Sequence, residues 1–306
     1  LIVGSTGDLL DRLAPQDVVA FTGSAATALA LRQRPAIVEA GVRFNVEADS
    51  LNAAVLGPDV HPGSLTFERF VQDVAREITQ KAGQKCTAVR RILVPKECAE
   101  PVLEALVARL AAVVTGDPAD PRVSMGPLAH GGQLRDALDG IAELLATAEL
   151  VHGSGGRAAG VGAPAGKGFF VEPTLLRTHH PLELTPVHWR EVFAPVSTLL
   201  PYSGTAAEAA AIVALGGGSL VSSVYTDDAE WAGDYLAQGG AFQGRIYFGS
   251  ATSEGYGSGA ALPQSLHGGP GRAGGGEELG GLAGLRLYQQ RVALQGTRAR
   301  VDGLLA

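Results

Sequence analysis

The sequence predicts an α/β protein built mainly on parallel strands. Short apolar runs bounded by turn residues alternate with longer segments of helical periodicity along the whole chain. In residues 67–78, for example, apolar side chains recur at spacings of three, four and seven, which place them on one face of a helix. The expected strands are residues 1–3, 18–21, 42–46, 92–94, 169–171, 197–201, 220–226 and 245–248, and residues 53–56 are a further apolar run. The expected helices are residues 25–34, 67–78, 102–114, 134–148, 206–215 and 228–238.

Composition limits the functions that the chain can serve. Its 31 acidic and 24 basic residues give a formal net charge of −7, without a long basic run that would bind nucleic acid. Gly, Pro or charged residues interrupt every apolar run before the roughly 20 residues that a membrane helix needs. Two cysteines cannot form a disulfide framework, and no histidines accompany them at metal-ligand spacing. We therefore expect a cytoplasmic protein that uses no metal and contacts neither nucleic acid nor membrane.

Cys86 is a candidate nucleophile because basic residues surround it in the sequence. They are Lys81, Lys85, Arg90 and Arg91. A nearby cation favours the thiolate over the thiol, and the thiolate is the reactive form. The alternative is that Cys86 is a small buried apolar residue, as free cysteines often are. Cys98 lies between Glu97 and Glu100, which disfavour a thiolate, and we expect it to be inert.

Glu47 is a candidate general base because it follows the predicted strand at residues 42–46. Side chains at the end of a strand in an α/β protein reach into the cleft where ligands bind. A carboxylate in that position can take a proton from water. The alternative is that Glu47 only caps the segment that follows.

The turn Thr22-Gly23-Ser24 joins a predicted strand to a predicted helix. Backbone N–H groups and the helix dipole converge at such a turn, which makes it a candidate site for the phosphates of a dinucleotide. An ordinary tight connection of an α/β fold has the same pattern, so both interpretations remain open.

Five segments resemble, in the same order along the chain, the signatures of the aldehyde dehydrogenase family. They are Phe21-Thr22-Gly23-Ser24, Glu47, Gly83-Gln84-Lys85-Cys86, Glu191-Val192-Phe193-Ala194-Pro195-Val196 and residues 268–281. Residues 46–52, 81–91 and 267–281 further resemble a branch that oxidises a CoA-linked semialdehyde during phenylacetate or benzoate breakdown. The resemblance implies a Rossmann-like cofactor domain, present in part, beside an α/β catalytic domain with a parallel sheet.

The resemblance also implies roles for individual residues. Cys86 would attack the aldehyde, its backbone N–H would contribute to the oxyanion site, and Glu47 would activate the water that releases the acid. NADP, or alternatively NAD, would be the cofactor. Its pyrophosphate would lie over Thr22, Gly23 and Ser24, its nicotinamide ribose would bind Glu191, and Phe193 would pack beside it. An ordinary core position is an equal alternative for Phe193.

His267 stands where many members of the family have an aromatic residue that lines the aldehyde tunnel. A polar substrate that carries CoA would account for a histidine there, and a purely structural histidine is the alternative. The family pattern also differs after Glu47, where residues 48–51 replace a glycine-containing signature, so the resemblance leaves the movement of the Glu47 side chain undefined.

By resemblance, residues 1–47 would be the C-terminal part of the cofactor domain and residues 48–250 the catalytic domain. Residues 251–306 would contain a glycine-rich return segment and a strand, residues 288–295, that extends the sheet of a second subunit in a homodimer. The chain starts without Met or a signal peptide, and we expect that a preceding part is missing and that the chain alone has little dehydrogenase activity. The alternatives are a CoA-acylating relative and a non-catalytic fragment that assembles with a partner.

Overall fold

The computed structural model describes the backbone of residues 3, 4, 6–253, 257, 259–262, 264–278 and 281–305. Its strands there are β1 (Val18–Thr22), β2 (Arg43–Glu47), β3 (Ala53–Leu56), β4 (Arg91–Pro95), β5 (Glu149–His152), β6 (Thr174–Arg177), β7 (Val196–Tyr202), β8 (Ser219–Tyr225), β9 (Gln243–Gly249), β10 (His267–Gly268) and β11 (Glu277–Glu278). Its α-helices are α1 (Ala25–Arg32), α2 (Pro35–Glu39), α3 (Leu65–Thr79), α4 (Ala99–Ala111), α5 (Gly131–Leu145), α6 (Ala206–Ala214), α7 (Ala229–Gly239), α8 (Gly281–Tyr288) and α9 (Arg298–Leu305).

A seven-stranded sheet forms the centre of the fold, with the strand order β5-β6-β7-β4-β3-β8-β9. The pairing of β5 with β6 is antiparallel, and the other pairs in this sheet are parallel. Every residue of β3, β4, β7 and β8 is buried. Burial on both faces explains why the apolar residues of β3 and of β4 after Arg91 follow one another instead of alternating with polar residues. The predicted α/β class with mostly parallel strands is confirmed.

Several helices begin where the sequence supplies a capping side chain. Ser64 accepts a hydrogen bond from the backbone N–H of Phe67 at the start of α3, and Asp228 caps α7 in the same way. Such caps satisfy N–H groups that have no partner within the helix. The predicted apolar face of α3 is buried, with Phe70 and Ile78 both at 0% exposure. Capping and periodicity therefore place these helices correctly to within a few residues.

A separate sheet of two parallel strands, β1 and β2, places the candidate base beside the candidate phosphate turn. In its register Thr22 is paired with Glu47, the last residue of each strand. The backbone N–H of Gly23 then donates to the carbonyl of Glu47 over 3.1 Å. The chain passes from this sheet to the seven-stranded one between Glu47 and Ala53. The division into domains at residues 47 and 250 remains a prediction.

One predicted strand is wrong, and another does not form in the single chain. Residues 169–171 form only an isolated bridge, from Val171 to Arg157, and the strand in that region is β6, after Pro173. Residues 289–295 form neither strand nor helix, and Tyr288 ends α8. A strand of this kind needs the edge of another sheet, which a single chain does not offer to residues 288–295. Residues 1 and 2 of the first predicted strand lie outside the described residues.

Among the described residues we find no helix with the length and apolar character that crossing a bilayer requires.

Candidate active site

Cys86 lies in a loop that follows α3 through a strained turn. Lys81 and Ala82 have φ angles of 55° and 52°, and Gly83 follows with a φ of 68°. Left-handed conformations are costly for residues with a β-carbon, so the surrounding structure must hold them in place. A β-carbon on Gly83 would overlap the backbone carbonyl of Ala194. The turn therefore presses the Cys86 loop against the segment that contains Glu191 and Phe193.

Asn52 fixes the other side of the same loop. Its side-chain amide donates to the carbonyls of Cys86 and Ala88, over 2.7 and 2.9 Å, and its oxygen accepts from the backbone N–H of Val221 at 3.0 Å. A buried amide with all these partners is a rigid bridge, because breaking one leaves a buried polar group unsatisfied. Asn52 thus ties the candidate nucleophile to the central sheet at β8.

Glu47 is buried, with 7% of its surface exposed. The chain around it is held on both sides, by the bond from Gly23 described above and by a 2.9 Å bond from the N–H of Ala48 to the carbonyl of Ala273. The glycine-rich segment can approach so closely because it lacks side chains. A β-carbon on Gly274, for instance, would overlap the carbonyl of Val46. The glycines after His267 thus let this segment close over the end of β2.

His267 connects the two candidate catalytic residues. Its Nε2 atom lies 3.4 Å from Sγ of Cys86 and 3.1 Å from Oε1 of Glu47. Sγ of Cys86, a carboxylate oxygen of Glu47 and a ring nitrogen of His267 all lie within 4.8 Å of one another. Cys86 and Glu47 therefore converge on one small volume, as the sequence predicts. The expectation that the site uses no metal stays a prediction.

These two contacts change the acidity of the imidazole. The hydrogen bonds with Cys86 and then Glu47 raise the pKa of His267 to about 10, against the opposing effect of burial. The protonated imidazole is therefore the favoured form at neutral pH. A positive charge between a thiol and a carboxylate stabilises the ionised form of each.

The side chain of Glu191, 11% exposed, lies beside the buried guanidinium of Arg90. Burial raises the pKa of Glu191 to about 7, although the Arg90 charge opposes the shift. The two groups form an ion pair at 3.7 Å, and Glu191 also accepts from the backbone N–H of Ser50 at 3.2 Å. Arg90 donates to the carbonyls of Gly83 and Ala194 as well. One arginine thus holds the Cys86 loop and the Glu191 segment together.

Phe193 lies next to this pair, since the Arg90 guanidinium is 5.6 Å from the centre of its ring. A cation over an aromatic face is attracted to it and restrains the ring. Phe193 is only partly buried. Phe193 is therefore a partly exposed residue of the site rather than an ordinary core residue.

A cavity of about 380 Å³ brings the predicted site residues together. Its lining includes Thr22, Gly23, Ser24, Glu47, Cys86, Glu191 and Phe193. These are the seven predicted catalytic and cofactor-contacting residues, drawn from positions far apart in the sequence. His267 is not part of this lining, and it reaches the site through its contacts with Cys86 and Glu47.

The sequence analysis does not identify four charged residues of this cavity, Asp49, Asp136, Arg190 and Arg272. Asp49 accepts from the backbone N–H of Ala25, the first residue of α1, at 3.0 Å. Arg272 lies 3.4 Å from Asp49 and donates to the carbonyl of Trp189 at 2.7 Å. Asp49 replaces a glycine of the family pattern, and that departure is the signal that points to a changed environment at the start of α1.

The basic residues near Cys86 in the sequence make different contacts in the structure. Lys85 pairs with Glu77 over 2.6 Å. Arg91 is buried against the carbonyls of Leu51, Ile212 and Val213. Of these four basic residues, Arg90 is the one for which we find a charge interaction with Cys86. Sequence proximity alone did not identify which cation matters.

Cys98 matches its prediction. It is buried, with 6% exposure, and its Sγ lies 3.6 Å from the carbonyl of Val60. Burial, with a smaller contribution from Glu97, raises the pKa of this thiol. The thiolate of Cys98 is therefore disfavoured at neutral pH.

Comparison with known proteins agrees with this geometry. Residues 1–292 match the model of the aldehyde dehydrogenase family. The chain belongs to the aldehyde dehydrogenase family. It is 42% identical, over 272 residues, to 3,4-dehydroadipyl-CoA semialdehyde dehydrogenase of Aromatoleum evansii, which covers 88% of this chain and 53% of that protein. It is 39% identical, over 176 residues, to Protein MaoC of Klebsiella aerogenes, with coverage of 56% and 50%.

A solved structure has the same fold. The γ-glutamyl-γ-aminobutyraldehyde dehydrogenase from Burkholderia cenocepacia aligns with a TM-score of 0.74 and 28% identity over 89% of this chain and 50% of that one. The predicted aldehyde dehydrogenase fold is therefore confirmed. The chain spans about half the length of the curated relatives that it matches.

Proposed function

We propose that this chain carries the nucleophile and the general base of an NAD(P)-dependent aldehyde dehydrogenase that oxidises a CoA-linked semialdehyde to the acid. The observation that carries the proposal is the convergence of Cys86 and Glu47, whose reactive atoms lie within 4.8 Å on one cavity. A nucleophile and a base at this separation can both reach one carbonyl carbon.

The residues that line the cavity are of the types that can bind a nicotinamide dinucleotide. Exposed small residues, Thr22, Gly23 and Ser24, lie at the start of α1, and the cavity continues from them to Glu191, Phe193 and Cys86. Backbone N–H groups at a helix start suit a pyrophosphate, and a buried carboxylate suits ribose hydroxyls. When bound, NADP or NAD would supply the acceptor for the hydride of the aldehyde.

The residues of the chain would act in sequence on the substrate. Sγ of Cys86 forms a bond to the aldehyde carbon, and the backbone N–H of Cys86 faces the resulting oxyanion. Departure of the hydride with its electron pair leaves a thioester on Cys86. Glu47 takes a proton from water as the water oxygen bonds to the acyl carbon. The C–S bond then breaks, which frees the acid and regenerates the thiolate.

The similarity to a CoA semialdehyde dehydrogenase supports the proposed substrate class, a CoA-linked semialdehyde. We propose NADP as the preferred cofactor. An aldehyde adds reversibly to a thiolate, so the correct substrate should protect Cys86 from iodoacetamide. We expect a CoA-linked semialdehyde to protect at a concentration at least about tenfold lower than the same semialdehyde without CoA. Equal protection by the two compounds would contradict the proposed substrate class.

Oxidation itself is tested in a single turnover, with the chain in excess over the semialdehyde so that a slow reaction is still measurable. We expect NADPH and free acid in equal amounts, and neither product from Cys86→Ser. Added CoA separates the alternative reaction, because a CoA-acylating enzyme would form a new CoA thioester instead of the acid. Absence of reduced cofactor would contradict the proposal.

Cofactor binding has its own readout in Trp189, which lines the cavity and is 46% exposed. We expect NADP to change the fluorescence of Trp189 at a lower concentration than NAD, and expect no such change in Trp189→Phe. The remaining tryptophan, Trp231, is buried near α6 and provides a constant background.

We also propose a cytoplasmic homodimer that uses residues 288–295. Tyr288, Val292 and Leu294 are 59%, 76% and 53% exposed in the single chain. Exposed apolar side chains in a row are typical of a surface that a partner covers. Light scattering should give the mass of a dimer for the chain and a monomer when Val292 and Leu294 are both replaced by Asp. A monomeric wild-type chain would contradict this arrangement.

A further inference from the structure

We propose that His267 accepts the thiol proton of Cys86 and holds the sulfur as a thiolate beside the carboxylate of Glu47. This inference rests on the site of the proposed function, but it concerns the resting state of the nucleophile and does not depend on the substrate or the cofactor. It gives His267 a catalytic role in addition to its predicted place along the aldehyde tunnel.

One nitrogen of the imidazole serves both partners. Nε2 lies within hydrogen-bond distance of Sγ of Cys86 and of Oε1 of Glu47. Both partners are acceptors when they are ionised, so a proton on Nε2 can be shared between them. A neutral imidazole with a bare Nε2 would instead place a lone pair against the Glu47 carboxylate, which is unfavourable.

Electrostatic repulsion within the site also favours a protonated His267. A thiolate and a carboxylate within 4.8 Å of each other repel, and repulsion is strong where solvent is scarce. The side chains of His267 and Glu47 are only 13% and 9% exposed. An imidazolium between the two anions reduces the net charge of the group from −2 to −1. His267 therefore allows Cys86 and Glu47 to be ionised together.

The proton balance is simple. The S–H bond of Cys86 breaks and an N–H bond forms at Nε2, so a thiol and a neutral imidazole become a thiolate and an imidazolium. No electrons are transferred and no further reactant is needed. When the thiolate later bonds to a carbonyl carbon, the imidazolium remains beside Glu47.

The backbone holds His267 firmly in this position. His267 pairs with Glu278 in the register of β10 and β11. A β-carbon on Gly244, in β9, would overlap the carbonyl of Gly268, so β10 lies directly against the edge of the central sheet. The imidazole is therefore presented by paired backbone rather than by a free loop.

Of the other ionisable groups around the site, Glu191 lies in the same cavity as Cys86 and has a pKa raised to about 7 by burial. Arg245 on β9 and Arg90 beside the Cys86 loop both interact electrostatically with Cys86. Arginines stay protonated through the neutral range, so they add a constant positive potential. Tyr225 on β8 has a pKa well above its usual value because it is buried, and Glu277 on β11 is exposed. Among the described residues, His267 and Glu47 form the cluster within 4.8 Å of Sγ, and Glu191 is the same in every variant that is compared.

The test is the pH dependence of Cys86 alkylation by iodoacetamide, followed by peptide mass spectrometry. The measured quantity is the pH of half-maximal rate, because a low thiol pKa also reduces the intrinsic reactivity of the thiolate. The variants are His267→Phe and His267→Gln, and Gln can donate a hydrogen bond but cannot take the thiol proton. His61→Gln, at an exposed position in the loop before α3, is the matched control. Buried Cys98 reports unfolding in every sample.

We expect the wild type and His61→Gln to share one midpoint of alkylation. Both His267 variants should move this midpoint up by at least about one pH unit while Cys98 stays unlabelled. A midpoint shared by wild type and both His267 variants would overturn the proposal. A shift in His267→Phe that Gln fully reverses would also overturn it, because hydrogen bonding alone would then suffice.

This outcome is separable from that of the proposed function. A midpoint that depends on His267, in a chain that oxidises no aldehyde, would support the role of His267 and reject the dehydrogenase proposal. Aldehyde oxidation with an unshifted midpoint in the variants would do the reverse.

Discussion

The carboxyl group of Glu191 titrates near neutral pH because it is buried between the Cys86 loop and the cavity. Its pKa is raised to about 7 by burial, even though Arg90 lies 3.7 Å away. In an unfolded chain the same group would ionise near 4.5. The folded state therefore binds this proton more tightly than the unfolded state does.

The stability of the protein should depend on this difference in a defined pH window. The contribution of Glu191 is fully present below about 4.5 and is lost as the pH rises through about 7. Relative to Glu191→Gln, which cannot ionise, the wild type should lose up to about 3 kcal/mol of unfolding free energy across this window. Urea unfolding at a series of pH values measures it. A difference between the two proteins that stays constant with pH would contradict the buried carboxyl.

The sequence predicts single residues of the site only as far as a motif covers them. Cys86 and Glu47 are identified through the family pattern, and neither stands out from composition or periodicity. The contacts of His267 with these two residues join positions 181 and 220 apart, and no local pattern reports such a distance. The Asp49–Arg272 pair is missed for the same reason.

At the scale of elements, the strained turn after α3 positions the nucleophile. Lys81, Ala82 and Gly83 have left-handed backbones in succession, and Gly83 lies against Ala194 without room for a side chain. Arg90 then joins the carbonyls of Gly83 and Ala194 from the other side. The geometry of Cys86 therefore depends on a close backbone approach.

Gly83→Ala tests this dependence. We expect a loss of stability beyond the roughly 1 kcal/mol that a left-handed alanine costs by itself, since the methyl group must also displace the backbone of Ala194. Gly63→Ala is the matched control, because Gly63 has a φ of 87° and open space around its β-carbon position. Thermal unfolding and the rate of Cys86 alkylation are the measurements. Equal effects of the two substitutions would show that the approach to Ala194 does not position the loop.

Elements with a strong hydrophobic periodicity and a capping residue are predicted well from the sequence. Elements that form only by pairing with another strand or another chain are not. The helix α3 and the buried strands β4, β7 and β8 are predicted because burial dictates their pattern. The strand predicted at residues 169–171 fails because its apolar residues pack without a neighbouring strand along their length. The strand predicted at residues 288–295 fails because its pairing partner would be another chain.

At the scale of the whole molecule, a buried arginine links the central sheet to the elements around it. Arg91 begins β4 and donates to the carbonyls of Leu51 and of the last turn of α6. It also contacts Nδ1 of His188 at 3.2 Å. Nε2 of His188 lies 3.0 Å from the carbonyl of Pro181. Burial, with the Arg91 charge, lowers the pKa of His188 to about 4.

Acid should therefore destabilise the fold through His188. The folded state resists protonation of His188, so its contribution to stability is present above about 6.5 and is lost as the pH falls towards about 4. Compared with His188→Gln, the wild type should lose up to about 3 kcal/mol of unfolding free energy over this range. The comparison with the variant removes the effect of the other titrating groups. Parallel stability curves for the two proteins would contradict a neutral, buried His188.

The proposed mechanism requires Cys86 and Glu47 to act on the same acyl carbon, and Glu47→Gln tests this most directly. p-Nitrophenyl acetate acylates a thiolate without hydride transfer, so it enters the reaction at the thioester. We expect continuous turnover in the wild type, no burst in Cys86→Ser, and in Glu47→Gln a single equivalent of nitrophenolate with the acetyl group retained on Cys86. Hydrolysis of that acetyl group should be slower by about 10²–10⁴-fold. Wild-type turnover by Glu47→Gln, or an acetyl group on any other residue, would contradict the account.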